Sequence, residues 1–303
     1  MKAAVLIGFG GVEQLEVREV PEPKTGPGEV KVRVVATSIN PIDWKLREGE
    51  RRPGVTFELP AILGRDAAGE VVEIGPGVTR LRVGARVAGL VWGGYAERVV
   101  AKEEAWAEVP ESLNLVDAAA VPLVALTGAE LIDEGARPRA GDTVLVTGAL
   151  GNVGRAAVYT AKARGAKVWA GVRSSQKSAA AELGVEGVVV LDDDRDGAQL
   201  GIPRCDAIAD TVGGAAIQKL LDSLRPGGSV GTVLGEPPGA RERGLQVRHV
   251  WAHPDPERLA ALLRAVADGT LVIPIARRFS LPQIREAQEA AQKGAGGKVV
   301  VQM

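Results

Sequence analysis

Apolar and polar positions alternate over short runs in the first hundred residues: KAAVLI, LEVREV, EVKVRVVA, AAGEVVEIG and ARVAGLVW. Alternation of this kind suits strands with one buried face, and Gly and Pro punctuation such as PEPKTGPGE and GPGV separates the runs. The pattern predicts a small, irregular antiparallel barrel or sandwich.

From about Asp117 the texture changes to AAAVPLVALTGAELIDEG, an Ala- and Leu-rich stretch of helical length. Strand and helix then alternate. TVLVTG reads as a strand, NVGRAAVYTAKARG as a helix, KVWAGV as a strand and SSQKSAAAELG as a helix, and VEGVVVL, CDAIADTV, AAIQKLLDSL, GGSVGTVLG and LQVRHVW keep the rhythm. Near-continuous apolar strands joined by crossover helices need cover on both faces, so the class is α/β with a doubly wound parallel sheet. A helix at PERLAALLRAVADG precedes a tail of strand TLVIPI, helix LPQIREAQEAAQKG and strand GKVVVQM.

Composition narrows the chemistry. With 37 basic and 38 acidic side chains and no basic patch interleaved with aromatics, nucleic acid is not an expected partner. The opening MKAAVLIGFGGVEQ reads neither as a secretory signal nor as a membrane span, so a cytoplasmic protein with no membrane partner is expected. Cys205 is the one cysteine, and the histidines are His249 and His253. Thiolate-rich zinc sites are therefore out of reach. The histidines stand at i, i+4, but QVRHVWAHP alternates like a strand and runs into Pro254, so they read as structural or surface residues and no metal site is expected. The acidic run Asp192, Asp193, Asp194 and Asp196 reads as a solvated loop.

The most informative segment is GDTVLVTGALGNVGRAAVYTAKARGAKVWAGVRSSQK. Gly148, Gly151 and Gly154 fall where a strand turns into a helix, and there backbone amides and the helix dipole meet a pyrophosphate. Ala149 stands where the usual G-x-G-x-x-G spacing has its first glycine. Asn152 and Val153 complete the turn. The end of the following strand, AGVRSSQK, carries no acid to take both ribose hydroxyls, while Arg173, Ser174 and Lys177 offer donors to a 2′-phosphate. The expected cofactor is NADP(H) rather than NAD(H).

Several stretches together resemble the zinc-independent quinone oxidoreductases of the medium-chain dehydrogenase/reductase superfamily: SINPIDWKLREG, PAILGRDAAGEVVEIGPGV, GGYAERVV, AAAVPLVALTGAELI, GALGNVG with RSSQK, CDAIADTVGG, LRPGGSVGTVLG and GKVVV. The resemblance implies a GroES-like irregular β-barrel at 1–116 and 267–303, a Rossmann NADP-binding domain at 117–266, and a homodimer joined through the edge of the Rossmann sheet. Zinc ligands of metal-dependent relatives correspond to Asn40, Arg65 and Leu123, none of which is Cys or His. Backbone contacts to the cofactor are implied at Val212, Gly213, Leu234, Gly235 and Trp251. The segment between VVVLDDDRDG and CDAIADTV is shorter than in relatives, so a helix there is expected to shrink to a turn.

Hydride delivery to a quinone or to the β-carbon of an enone drives charge onto the carbonyl oxygen, and a metal-free catalyst must place donors there. NPIDWK supplies the candidates. Asn40 has an amide and Lys45 an ammonium, and the resemblance puts both near the nicotinamide. Lys45 reads equally as a surface lysine. Asp43 reads as a turn or cap residue after Pro41. Thr127 either meets the nicotinamide carboxamide or bonds back to its own helix. Tyr95 either faces the site or fills the barrel core. The expected activity is NADPH-dependent reduction of quinones or α,β-unsaturated carbonyls; a nucleotide-binding sensor or structural protein with little turnover is the alternative.

Overall fold

The computed structural model describes residues 1–51, 54–192 and 201–303. They form two compact units, Met1–Leu123 with Pro254–Met303, and Val124–His253.

The first unit is built on the eleven-residue strand Glu29–Ile39, whose Val-rich sequence EVKVRVVATSI buries most of its length. It pairs antiparallel with Asp66–Ile74 and Arg98–Lys102, and near its end with Lys298–Gln302. Register shifts at Lys31/Val32 and Val34/Ala36 mark bulges, which bend a strand enough to serve several partners. The seven-stranded sheet runs Ile275–Ser280, Lys298–Gln302, Glu29–Ile39, Asp66–Ile74, Arg86–Leu90 and Trp106–Glu108, with Arg98–Lys102 beside Glu29–Ile39. Val30, Val32, Val71, Val87 and Trp106 fill its core. A smaller sheet joins Leu15–Glu19, Lys2–Leu6 and Ala61–Ile62. This is the GroES-like irregular β-domain that the alternation and the resemblance imply.

The second unit holds six parallel strands: Thr143–Thr147, Lys167–Val172, Gly187–Val190, Cys205–Asp210, Leu224–Thr232 and Gln246–His249. Numbered along the chain within the unit, they lie in the order 3-2-1-4-5-6. That is the doubly wound Rossmann order, and its direction reverses between the first and fourth strands, where such sheets bind ligands at their C-terminal ends.

Some elements differ from expectation. TLVIPI is not a strand; Pro274 has no N–H to give a ladder, and pairing starts at Ile275–Ser280. SSQKSAAAELG forms two short 3₁₀ turns, Ser174–Gln176 and Ala179–Leu183, closed by Gly184 at φ 57°. The Ala-rich stretch after Asn114 divides into helices Leu115–Ala118 and Pro122–Glu130, the latter continuing into the widened turn Leu131–Ala136. Helix Pro256–Ala267 packs on strand Trp106–Glu108 and so falls in the first unit, whereas the expected boundary after residue 266 assigns it to the second. Of the segment between VVVLDDDRDG and CDAIADTV, residues 201–204 form no helix, while 198–200 and the acidic residues Asp193, Asp194 and Asp196 lie outside the described residues. Among the described residues, no helix is long and apolar enough to cross a membrane.

Candidate functional site

In the second unit, strand Thr143–Thr147 ends at Gly148, which turns at φ 63°, and Gly151 caps helix Asn152–Ala163. A Cβ on Gly154 would press into the Gly148 carbonyl and lie 2.8 Å from Ala149 Cα, so the glycine is what lets helix and strand approach. The Gly151 N–H donates to Gly148 O at 2.8 Å and the Ala149 N–H to Gly171 O at 3.1 Å. Ala149 is fully buried, and its amide is spent within the sheet rather than offered to a ligand. The first-turn amides of Asn152, Val153 and Gly154 have no acceptor within the helix. Asn152 Oδ1 is enclosed without a hydrogen-bond partner. These features fit a dinucleotide pyrophosphate at the turn.

Asp210, wholly buried, ties the strand ends around the turn together, and nothing in its sequence context announces it. Its carboxylate accepts from Thr147 Oγ1 at 2.7 Å, from Thr232 Oγ1 at 3.2 Å and from the amides of Val212 and Gly213 at 3.2 and 3.1 Å. Thr232 Oγ1 in turn accepts from the Leu234 amide at 3.1 Å. Val212, Leu234 and Trp251 follow three of the parallel strands and leave apolar side chains exposed; Trp251 also meets the His249 ring edge-on at 5.0 Å. Gly213 and Gly235 hold φ of 69° and 120°. Thr127 lies on Pro122–Glu130, next to Gly128, whose added Cβ would meet the Val153 carbonyl at 2.5 Å; that helix therefore packs directly on the glycine turn.

Beyond strand Lys167–Val172, where donors to a 2′-phosphate are expected, Arg173 and Lys177 are exposed. Ser174 differs from expectation, because Asp192 accepts both its amide, at 2.7 Å, and its hydroxyl, at 3.0 Å. The acid missing from AGVRSSQK is delivered by the turn that follows the neighbouring strand Gly187–Val190. The Ser174 amide holds the Asp192 carboxyl below its usual value. Space at Gly171 is taken by Leu191, 3.0 Å from an added Cβ, and not left for a ligand.

In the first unit, NPIDWK starts helix Pro41–Arg47. Asp43 caps it by accepting the Asn40 amide at 2.8 Å, and the same oxygen accepts the Tyr95 hydroxyl at 2.7 Å. Asp43 Oδ1 is buried without a partner. Burial raises the Asp43 carboxyl from 3.8 to about 7, against the Tyr95 and Asn40 hydrogen bonds that pull it down. Tyr95 is a core residue.

Asn40 is 0% exposed. Its amide nitrogen donates to Asp66 Oδ2 at 2.7 Å and, more weakly, to Ser38 O at 3.4 Å, while its Oδ1 accepts from Lys298 Nζ at 2.7 Å. Expected as a free donor, Asn40 has its N–H bonds committed. Asp66 also accepts from Ser38 Oγ at 2.5 Å and from the Leu123 amide at 2.8 Å, and lies 3.4 Å from Lys298 Nζ. Burial lowers the Lys298 ammonium, and Asp66 and Asp43 oppose the shift. Lys45 is partly buried on helix Pro41–Arg47. Asp66 and Lys298 escape sequence reading; their only signal is a charged residue at the head of an apolar strand run, DAAGEVVEI and KVVVQ.

His253 Nε2 lies 3.2 Å from Glu134 Oε1 and 3.8 Å from Glu130 Oε1, the three side chains bringing possible ligand atoms within 4.8 Å of one another.

Residues 26–111 match the alcohol dehydrogenase GroES-like domain, and 183–301 the zinc-binding dehydrogenase domain. A quinone oxidoreductase of Pseudomonas aeruginosa is 32% identical, covering 97% of both chains. A 2-haloacrylate reductase of a Burkholderia species is 33% identical over 75% of this chain and 71% of its own. The solved quinone oxidoreductase of Coxiella burnetii superposes with a TM-score of 0.89 at 28% identity, covering 100% of this chain and 99% of that one. Fold and site thus define an oxidoreductase of the medium-chain dehydrogenase/reductase superfamily. Within it, the chain belongs to the quinone oxidoreductase family.

Proposed function

We propose that the protein reduces quinones or α,β-unsaturated carbonyl compounds by hydride transfer from NADPH without a catalytic metal. The observation that carries this is the Gly148–Gly154 turn at the reversal point of the sheet, where the Asn152, Val153 and Gly154 amides of the first helical turn have no acceptor within the helix. When bound, the nicotinamide supplies the hydride. Arg173 and Lys177 neutralise a 2′-phosphate, and the amides following Asp210 border the nucleotide. The relative named for 2-haloacrylate reduction supports an activated alkene as acceptor.

The metal-free reading rests on the donor set. Asn40 spends its amide on Asp66 and Lys298, Arg65 is cationic, and Leu123 offers only a backbone amide already given to Asp66. Lys45 donates to the oxygen that gains charge. Asn40 acts as a positioning residue, fixing the start of the helix that carries Lys45.

The test is loss of reduced-nicotinamide absorbance when purified protein meets NADPH with 1,4-benzoquinone, then with an enone. No enzyme-dependent loss with either acceptor overturns the reading. The expected homodimer would join through Gln246–His249, the edge strand of the parallel sheet; a monomer's mass in solution removes that part.

A further inference from the structure

Arg65 is a cation with no anionic side-chain partner among the described residues. Its guanidinium carbon lies 3.8 Å from the centre of the Trp92 ring, and among the described residues its N–H groups make no hydrogen bond or ion pair. The neighbouring carboxylates are engaged elsewhere: Asp66 with Leu123, Ser38, Asn40 and Lys298, and Asp43 with Tyr95 and the Asn40 amide. Burial holds the guanidinium below its ordinary value, while Asp43 and Asp66 pull it back up only through space. A partly desolvated guanidinium resting on an indole keeps a planar fork of donors suited to a carboxylate.

The surroundings leave room for one. Trp92 is 46% exposed, and a Cβ added at Gly93, which turns at φ 80°, would find only the Ile62 carbonyl at 4.0 Å. Lys298 is no rival for an anion, since it is buried among Asn40, Ile39 O and Asp66.

We propose that Arg65 and Trp92 form a subsite for a planar ligand bearing a carboxylate, the carboxylate in the guanidinium fork and the flat body beside the exposed indole. Resting on the reductase reading for its biological sense, this makes α,β-unsaturated carboxylic acids the acceptor class that the protein favours over neutral enones.

Calorimetric titration without cofactor, using trans-cinnamate and its neutral isostere cinnamamide, tests the subsite. The acid is expected to bind the wild-type protein about tenfold more tightly than the amide. Arg65→Gln should erase that difference, Arg65→Lys should keep part of it, and Trp92→Leu should weaken both ligands. Equal affinities, no binding of either ligand, or an Arg65→Gln variant that keeps the preference overturns the proposal. Thermal unfolding of each variant establishes that it is folded, and Arg65→Lys carries the test if Arg65→Gln is not. Failure of the wild-type protein to oxidise NADPH with either 1,4-benzoquinone or an enone sinks the reductase reading alone, because the titration uses no cofactor.

Discussion

Lys298 Nζ donates to Asn40 Oδ1 at 2.7 Å, so the orientation of an amide is set by a side chain 258 positions further along the chain. Register explains the meeting: Val299 pairs with Ile39, and this places each of the two polar residues next to that pair. Asp66 accepts from Asn40 and faces Lys298, completing a buried triangle of amide, carboxylate and ammonium.

Removing one partner of a buried ion pair leaves the other uncompensated. Lys298→Met should therefore destabilise the protein by about 3–5 kcal/mol, read as a lower urea midpoint at unchanged slope. A midpoint within error of the wild type would mean that Asp66 gains nothing from the lysine.

Asp43 gives stability a pH dependence of known sign. Its folded carboxyl titrates at about 7 and its ordinary value is 3.8, so between those limits the folded state binds the extra proton. Its contribution is complete below 3.8 and is lost as pH rises through about 7. Tyr95, Asn40, Asp66, Lys298 and Arg65 are the polar and charged groups around it and stay in place in Asp43→Asn. That variant should flatten the fall in unfolding free energy across the window, and an unchanged slope would assign the dependence elsewhere.

Gly154 has no room for a methyl group between helix and strand. Gly154→Ala should cost about 1–3 kcal/mol of stability through overpacking and should weaken NADPH binding at least about tenfold in a fluorescence titration. Full retention of affinity would separate the turn from the nucleotide.

Asp192 places a negative charge against Ser174, where a 2′-phosphate is proposed to lie. Asp192→Asn should raise the ratio of kcat/KM with NADPH to that with NADH about tenfold, or roughly 1.4 kcal/mol. Arg173→Ala with Lys177→Ala should lower it. A ratio that none of these changes moves would place the 2′-position away from this strand end.

Lys45→Ala should lower kcat with the best acceptor while leaving nucleotide affinity unaltered. Unchanged turnover would remove Lys45 from proton delivery.

Periodicity and punctuation make the architecture legible: Val-rich alternation gives the β-domain, and strand–helix rhythm with Gly148, Gly151 and Gly154 gives the parallel sheet and its turn. What escapes is lateral. Asp192 meets Ser174 only because strands Gly187–Val190 and Lys167–Val172 pair side by side. Asp66 and Lys298 meet Asn40 through pairings between segments far apart in sequence, which no local window contains. Asp43 is legible as a cap from Pro41 and spacing, whereas its perturbed proton comes from burial under Tyr95.

Strand Lys298–Gln302 lies between Ile275–Ser280 and Glu29–Ile39 in the finished sheet. On the ribosome, the contiguous stretch Val124–His253 emerges whole and is free to collapse as soon as it clears the exit tunnel. The segment holding Asn40 and Asp66, made much earlier, must wait without the cation that faces its carboxylate until residue 298 has been translated. Nascent chains halted short of that codon should thus expose a protease-sensitive N-terminal portion beside a protected middle.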